Sequence, residues 1–210
     1  MNVSSRLPGT GTSIFSVMSK MALEHGAINL SQGFPDFPVD RVLIDLIHQK
    51  MVEGHNQYAP MPGVLPLRQA IAQTAQETYG RAVDPETEVT VTAGGTEALF
   101  SALAALVHPG DEVILFDPAY DSYDPAIRLN GGVPVHLNLA PPDFRIDWQA
   151  VKARISPRTR IIMVNTPHNP SGAVMHEADW RELEALALKH NLVVISDEVY
   201  ERLIFDGLRH

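Results

Sequence analysis

An α/β fold built on a mostly parallel sheet flanked by helices is predicted by three features of the sequence. Short apolar, β-branched runs fall at residues 88–92, 112–116, 133–139, 160–164 and 192–195. Between several of them lie segments with apolar residues at helical spacing, clearest at 97–107 and 177–190. The runs are nearly continuous in hydrophobicity rather than alternating, the pattern of strands buried on both faces of a parallel sheet.

The elements follow in order. The first forty residues are rich in Gly, Pro and Ser, with one amphipathic stretch at 14–23. They read as an arm that packs on something else rather than as a core. Residues 42–52 carry Leu43, Ile44, Leu46, Ile47 and Met51 at helical spacing, and 65–79 repeat the pattern more weakly. From residue 88 the strand-like runs begin and helical segments separate them. The charges around 179–189 read as a solvated helix face, and Trp148 and Trp180 as packing residues.

Composition sets the outer limits. A chain of 210 residues that is 45% hydrophobic and 20% charged is ordinary for a globular protein, which excludes a disordered chain, a coiled coil and a collagen-like fibre. The absence of cysteine excludes disulfides, thiolate zinc sites, iron–sulfur clusters and a cysteine nucleophile. The histidines show no metal-ligand spacing, so no metal is expected. Sixteen basic against 25 acidic residues give a net charge of −9, which disfavours general nucleic-acid binding. The longest nearly apolar stretch, 98–107, is too short to span a bilayer, which needs about 20 residues. With no secretory signal pattern at the N-terminus, a cytoplasmic protein without membrane contact is expected. The last residues, Leu208-Arg209-His210, carry no stop signal, so a truncated chain is expected.

Polar residues gather after the predicted strands. Run 88–92 leads into Gly94-Gly95-Thr96, run 112–116 into Asp117-Pro118-Ala119-Tyr120, run 160–164 into Asn165-Thr166-Pro167-His168-Asn169-Pro170-Ser171-Gly172, and run 192–195 into Asp197-Glu198-Val199-Tyr200. In open α/β sheets ligands bind at the carboxyl ends of strands, so one shared pocket accounts for all four. Gly94, Gly95 and Thr96 suit a phosphate cradle at a helix N-terminus. Taken alone, a Gly-rich turn with Thr96 as its N-cap explains them better. Asp197 ends an apolar strand, where a carboxylate needs a cationic or hydrogen-bonding partner; a helix cap or structural ion pair is an equal alternative. Tyr120 can stack on a flat ligand or simply pack. Asn169 is either an amide donor fixed by its turn or part of a tight Asn-Pro bend, and Tyr200 alone reads as core.

Together these motifs resemble the fold-type I aminotransferases that use pyridoxal 5'-phosphate. Two further segments agree, Asn29-Leu30-Ser31-Gln32-Gly33-Phe34-Pro35-Asp36-Phe37 and Gln57-Tyr58-Ala59-Pro60-Met61-Pro62-Gly63. The first is typical of the branch with methionine aminotransferases and kynurenine or glutamine transaminases, and the chain from about residue 7 onward is similar to that branch. The resemblance implies an N-terminal arm and part of a small domain at 1–40, and an incomplete large cofactor-binding domain at 41–210. It implies that Asp197 pairs with the protonated ring nitrogen, that Asn169 and Tyr200 bond the ring's phenolic oxygen, and that Tyr120 stacks on the ring. Gly94, Gly95 and Thr96 would hold the phosphate, Gly33 would lie near the substrate carboxylate, and Tyr58 would reach the cofactor of a neighbouring subunit. That last role implies a homodimer.

The implied reaction is transfer of an amino group from a hydrophobic amino acid, methionine first, to a 2-oxo acid, in amino-acid metabolism and biosynthesis. A carbon–sulfur β-lyase on the same scaffold and a non-catalytic cofactor-binding remnant are the alternatives. The family's Schiff-base lysine follows the aspartate, whereas Lys20, Lys50, Lys152 and Lys189 all precede Asp197. That lysine is expected beyond His210, no catalytic residue is assigned within the chain, and the chain alone is expected to be inactive.

Overall fold

The computed structural model describes residues 4–33, 35–207 and 210. The chain forms two compact units, one of Gly11–Thr92 and one of Met1–Thr10 with Ala93–His210.

The unit Gly11–Thr92 holds three helices, α1 (Ile14–Glu24), α2 (Arg41–Val52) and α3 (Leu65–Tyr79). Side-chain oxygens of Ser13 and Asp40 accept first-turn N–H groups and start the first two helices. Helix α3 begins with a proline in its first turn and ends at Gly80, whose left-handed φ of 68° an L side chain tolerates poorly. Arg68 is buried in it, donating to the carbonyls of Gly63 and Pro85 at 3.0 and 2.8 Å. The apolar stripe of α2, including Leu43, Ile44 and Ile47, is exposed.

One expected strand is not formed. Residues 88–92 make no rung with the sheet; instead Val91 N–H donates to Pro62 O at 2.9 Å. The segment has a buried residue, Val89, so its apolar pattern reflects burial. Burial does not supply a ladder partner, and a strand requires one.

The other unit is a four-stranded parallel sheet, β1 (Glu112–Asp117), β2 (Val133–Asn138), β3 (Thr159–Asn165) and β4 (Val193–Asp197), in the order β2-β1-β3-β4. Its helices are α4 (Gly95–Leu106), α5 (Tyr123–Leu129), α6 (Trp148–Arg154) and α7 (Glu177–His190). Strand alternation divides the core in two. Val113, Leu115, Ile161 and Met163 pack with Leu103 of α4 and Ile127 of α5. Ile114, Phe116, Ile162 and Val164 pack with Val151 of α6 and Leu183 and Leu186 of α7. Both faces of the central strands are thereby removed from water, which is why they read as unbroken apolar runs.

Two buried carboxylates brace this unit. Glu112 opens β1 and takes hydrogen bonds from Ser156, Arg158 and Thr159; these hold its carboxyl below the usual range. Asp179 does not belong to a solvated helix face as expected. It is buried and accepts from Arg145 Nη2 at 2.9 Å, Trp148 Nε1 at 3.0 Å and the N–H of His176 at 2.9 Å.

Candidate functional site

The carboxyl ends of the strands place polar groups side by side. In the ladder registers Asp117 faces Asn138 and Asn165 faces Asp197, so β1, β3 and β4 each finish on a polar residue at one edge of the sheet. Beyond them lies a pocket of about 170 Å³. Gly95, Thr96 and Leu99 of α4 form part of its wall, with Tyr120 from the turn after β1 and Tyr123 at the start of α5. Asn165, Asn169, Asp197, Val199 and Tyr200 complete the lining.

At the start of α4 the cap is Gly94, with φ 98° and ψ 164°, and no side chain caps the helix. Thr96 is therefore a first-turn residue and not the N-cap. A side-chain atom added at Gly95 would meet nothing within 4 Å, so the helix N-terminus opens onto free space. Backbone N–H groups there have no intrahelical acceptor and carry the positive end of the helix dipole.

Asp197 is fixed by two donors. Tyr123 Oη donates to its Oδ2 at 2.6 Å, and the N–H of Val199 donates to Oδ1 at 3.1 Å. Burial and the nearby carboxylate push the Tyr123 phenol above its ordinary pKa, so it stays a donor. Tyr120 packs edge-on to Tyr123, with ring centroids 5.7 Å apart and planes at 74°. Asn165 links neighbouring segments: its amide donates to the carbonyl of Asp197 at 2.9 Å, and its oxygen accepts the N–H of Asn169 at 2.7 Å.

His168 ties the two turns that carry Tyr120 and Asn169. Its Nε2 lies 3.0 Å from the carbonyl of Pro118 and its Nδ1 2.7 Å from Ser171 Oγ. Burial lowers its pKa although the Pro118 carbonyl opposes the shift, so the neutral ring with the proton on Nε2 fits both contacts.

Of the residues singled out in the sequence, Gly95, Thr96, Tyr120, Asn169, Asp197 and Tyr200 line this one pocket, and Gly94 caps the helix beside it. Gly33 and Tyr58 lie in the other unit, both exposed to solvent. Tyr123, Asn165 and His168 carry no spacing signal that marks them beforehand. No lysine is among the residues lining the pocket; Lys152 instead pairs with Glu182 at 2.7 Å.

The parallel sheet carries a glycine-capped helix and an anchored carboxylate at its carboxyl edge, and residues 25–210 match the family described as aminotransferase class I and II. The chain belongs to that family. Over 206 residues it is 52% identical to the methionine aminotransferase of Escherichia coli K12, across 98% of this chain and 53% of that protein. Human kynurenine–oxoglutarate transaminase 1 is 36% identical over 219 residues, across 98% of this chain and 52% of its own length. Among solved structures, the E. coli protein YbdL, whose reactivity identifies a methionine aminotransferase function, superposes with a TM-score of 0.92 at 53% identity, covering 96% of this chain and 53% of that one. The N-succinyldiaminopimelate aminotransferase of Mycobacterium tuberculosis gives 0.95 at 44% identity, covering 100% and 55%. The chain thus spans about half the length of the curated relatives it matches.

The family works with pyridoxal 5'-phosphate. The residues present fit it: open space and N–H donors at Gly95 suit a phosphate, a carboxylate held on both oxygens suits a protonated ring nitrogen, and a tyrosine ring borders the same space.

Proposed function

We propose that these residues form the cofactor-holding part of an aminotransferase that moves an amino group from a hydrophobic amino acid, methionine first, to a 2-oxo acid. The observation that carries this reading is Asp197, held by Tyr123 and Val199 in the same pocket wall as Gly95 and Thr96. When bound, pyridoxal 5'-phosphate supplies an electron sink for the carbon that loses its proton. Asp197 would pair with the protonated ring nitrogen. Gly94, Gly95 and Thr96 would hold the phosphate, Tyr120 would stack on the ring, and Asn169 and Tyr200 would bond the phenolic oxygen.

Gly33 is assigned to the substrate carboxylate and Tyr58 to the cofactor of a second subunit, which makes the protein a homodimer. The same reading assigns residues 1–40 to an arm with part of a small domain and 41–210 to the large domain. That division by role differs from the division by compactness given above. The setting is cytoplasmic amino-acid biosynthesis; among the described residues no helix is long and apolar enough to cross a membrane.

The test is an assay of the full-length protein with methionine and a series of 2-oxo acids. Formation of the acceptor's amino acid is the expected result. Ammonia and pyruvate released from cystathionine without an acceptor would identify a β-lyase instead. Residues 1–210 by themselves are expected to be inactive, because the pocket they form has no lysine in its lining. Amino transfer above background from that chain would overturn the assignment of the lysine to a position outside it.

A further inference from the structure

The ends of β1 and β2 and the start of α5 meet at one imidazole. His136 of β2 places Nδ1 2.9 Å from Asp117 Oδ2 and Nε2 2.9 Å from Asp124 Oδ2. An ionised carboxylate only accepts hydrogen bonds, and a neutral imidazole carries a single N–H. Both contacts are satisfied together by the imidazolium, with a proton on each nitrogen. Arg128 holds both oxygens of Asp124, donating from Nε to Oδ1 at 2.6 Å and from Nη2 to Oδ2 at 3.1 Å, so Oδ2 is shared with His136.

The other charged groups of the adjoining elements include Arg128, paired with Asp124, and Asp121, in the segment between β1 and α5. On β1 the other charged residue, Glu112, sits at the opposite end and is taken by Arg158. On α5 the charged residues are Asp124 and Arg128 themselves. Helix α6 packs on the other face of the sheet, where its Lys152 pairs with Glu182, and Arg154 is its remaining cation.

We propose that His136 is a positioning residue for the candidate site: as an imidazolium it ties Asp117 to Asp124 and so holds the turn that carries Tyr120 and Tyr123 into the pocket. Asp117 is the residue before that turn, and Asp124 directly follows Tyr123, the donor to Asp197. The clamp stands on geometry alone; its effect on cofactor binding rests on the function proposed above. Partial burial works against the charge, but the hydrogen bonds and charges of Asp117 and Asp124 outweigh it and raise the pKa above the ordinary histidine value. A raised folded pKa gives a stabilisation fully present below about pH 6.5 and lost as pH rises through the folded value.

The experiment uses the full-length protein, His136→Gln, His136→Arg and Asp124→Asn. Imidazole NMR of the wild type at pH 6 should show protons on both nitrogens of His136, with a titration midpoint that falls in Asp124→Asn. Amide exchange at 118–124, corrected for its intrinsic pH dependence, should quicken about three- to tenfold from pH 6 to pH 9, the range one hydrogen bond supports. Pyridoxal 5'-phosphate affinity should weaken by a similar factor. His136→Gln should show the fast exchange already at pH 6, and His136→Arg, charged throughout, should restore slow exchange at pH 9. A singly protonated ring at pH 6, or the same exchange response in wild type and His136→Gln, overturns the proposal. Exchange as expected with no cofactor binding at any pH supports the clamp and rejects the cofactor reading.

Discussion

Tyr123 and Asp197, 74 positions apart in the chain, are joined by a 2.6 Å hydrogen bond from phenol to carboxylate. The bond connects the first turn of α5 to the end of β4. Tyr123→Phe removes the donor while keeping the ring that packs on Tyr120. Hydrogen bonds to a charged group are worth about 1.5–3 kcal/mol, so the variant should lose about that much stability in urea unfolding. In a double-mutant cycle with Asp197→Ala the losses should fall short of additive. Additive losses would mean the two groups do not interact in solution.

Asp197→Ala in the full-length protein deletes a charge rather than packing. Amino transfer should drop on the order of 100-fold or more, the scale of losing one preorganised electrostatic partner. Size-exclusion chromatography should show the same oligomer as wild type. Turnover near the wild-type rate would remove Asp197 from its assigned role.

Asp179 predicts an acid-sensitive fold. Burial raises its pKa, but the bonds from Trp148, His176 and Arg145 prevail and hold the carboxyl below the usual range. A depressed folded pKa contributes stability that is present above the unfolded value of about 3.9 and lost as pH falls through the folded one. Asp179→Ala leaves an indole N–H and a backbone N–H without their acceptor and should cost roughly 2–4 kcal/mol near neutral pH. As pH falls through the folded value, the gap between variant and wild type should narrow in thermal melts; a constant gap across pH would show that charge does not set the difference.

Much of this architecture can be read from the sequence, for reasons that differ by element. Helices α3 and α7 match their expected bounds because each ends at a residue in the left-handed region, Gly80 and Asn191, that the apolar spacing already leads up to. The four strands fall within two residues of expectation; for β1 and β3 burial on both faces writes itself as continuous apolar runs, while the edge strands β2 and β4 are only partly buried. Helices α5 and α6 are seven residues each, fewer than two turns of pattern on which a period can register. Residues 88–92 show the converse error, an apolar run whose pairing is a tertiary property. At the site, Asp197 and Gly95 stand out by their place after an apolar run. Asn165 and Tyr123 do not, because what makes them notable is a bond to a residue far away in the chain.

Gly94 and Gly95 adjoin each other but separate fold from binding. Gly94 adopts φ 98°, outside the range L side chains favour, so Gly94→Ala should cost about 1–3 kcal/mol through backbone strain. Gly95 begins α4 with no positive φ, and an added methyl meets nothing within 4 Å. Gly95→Ala should therefore keep or slightly raise stability, since alanine is the better helix former. It puts a carbon into the open space before the helix N-terminus, so affinity for pyridoxal 5'-phosphate, titrated by fluorescence quenching, should fall about tenfold, the effect of displacing one charge-assisted contact. If Gly95→Ala binds the cofactor as tightly as wild type, the phosphate does not sit at this helix end, and the cradle must be sought elsewhere in the protein.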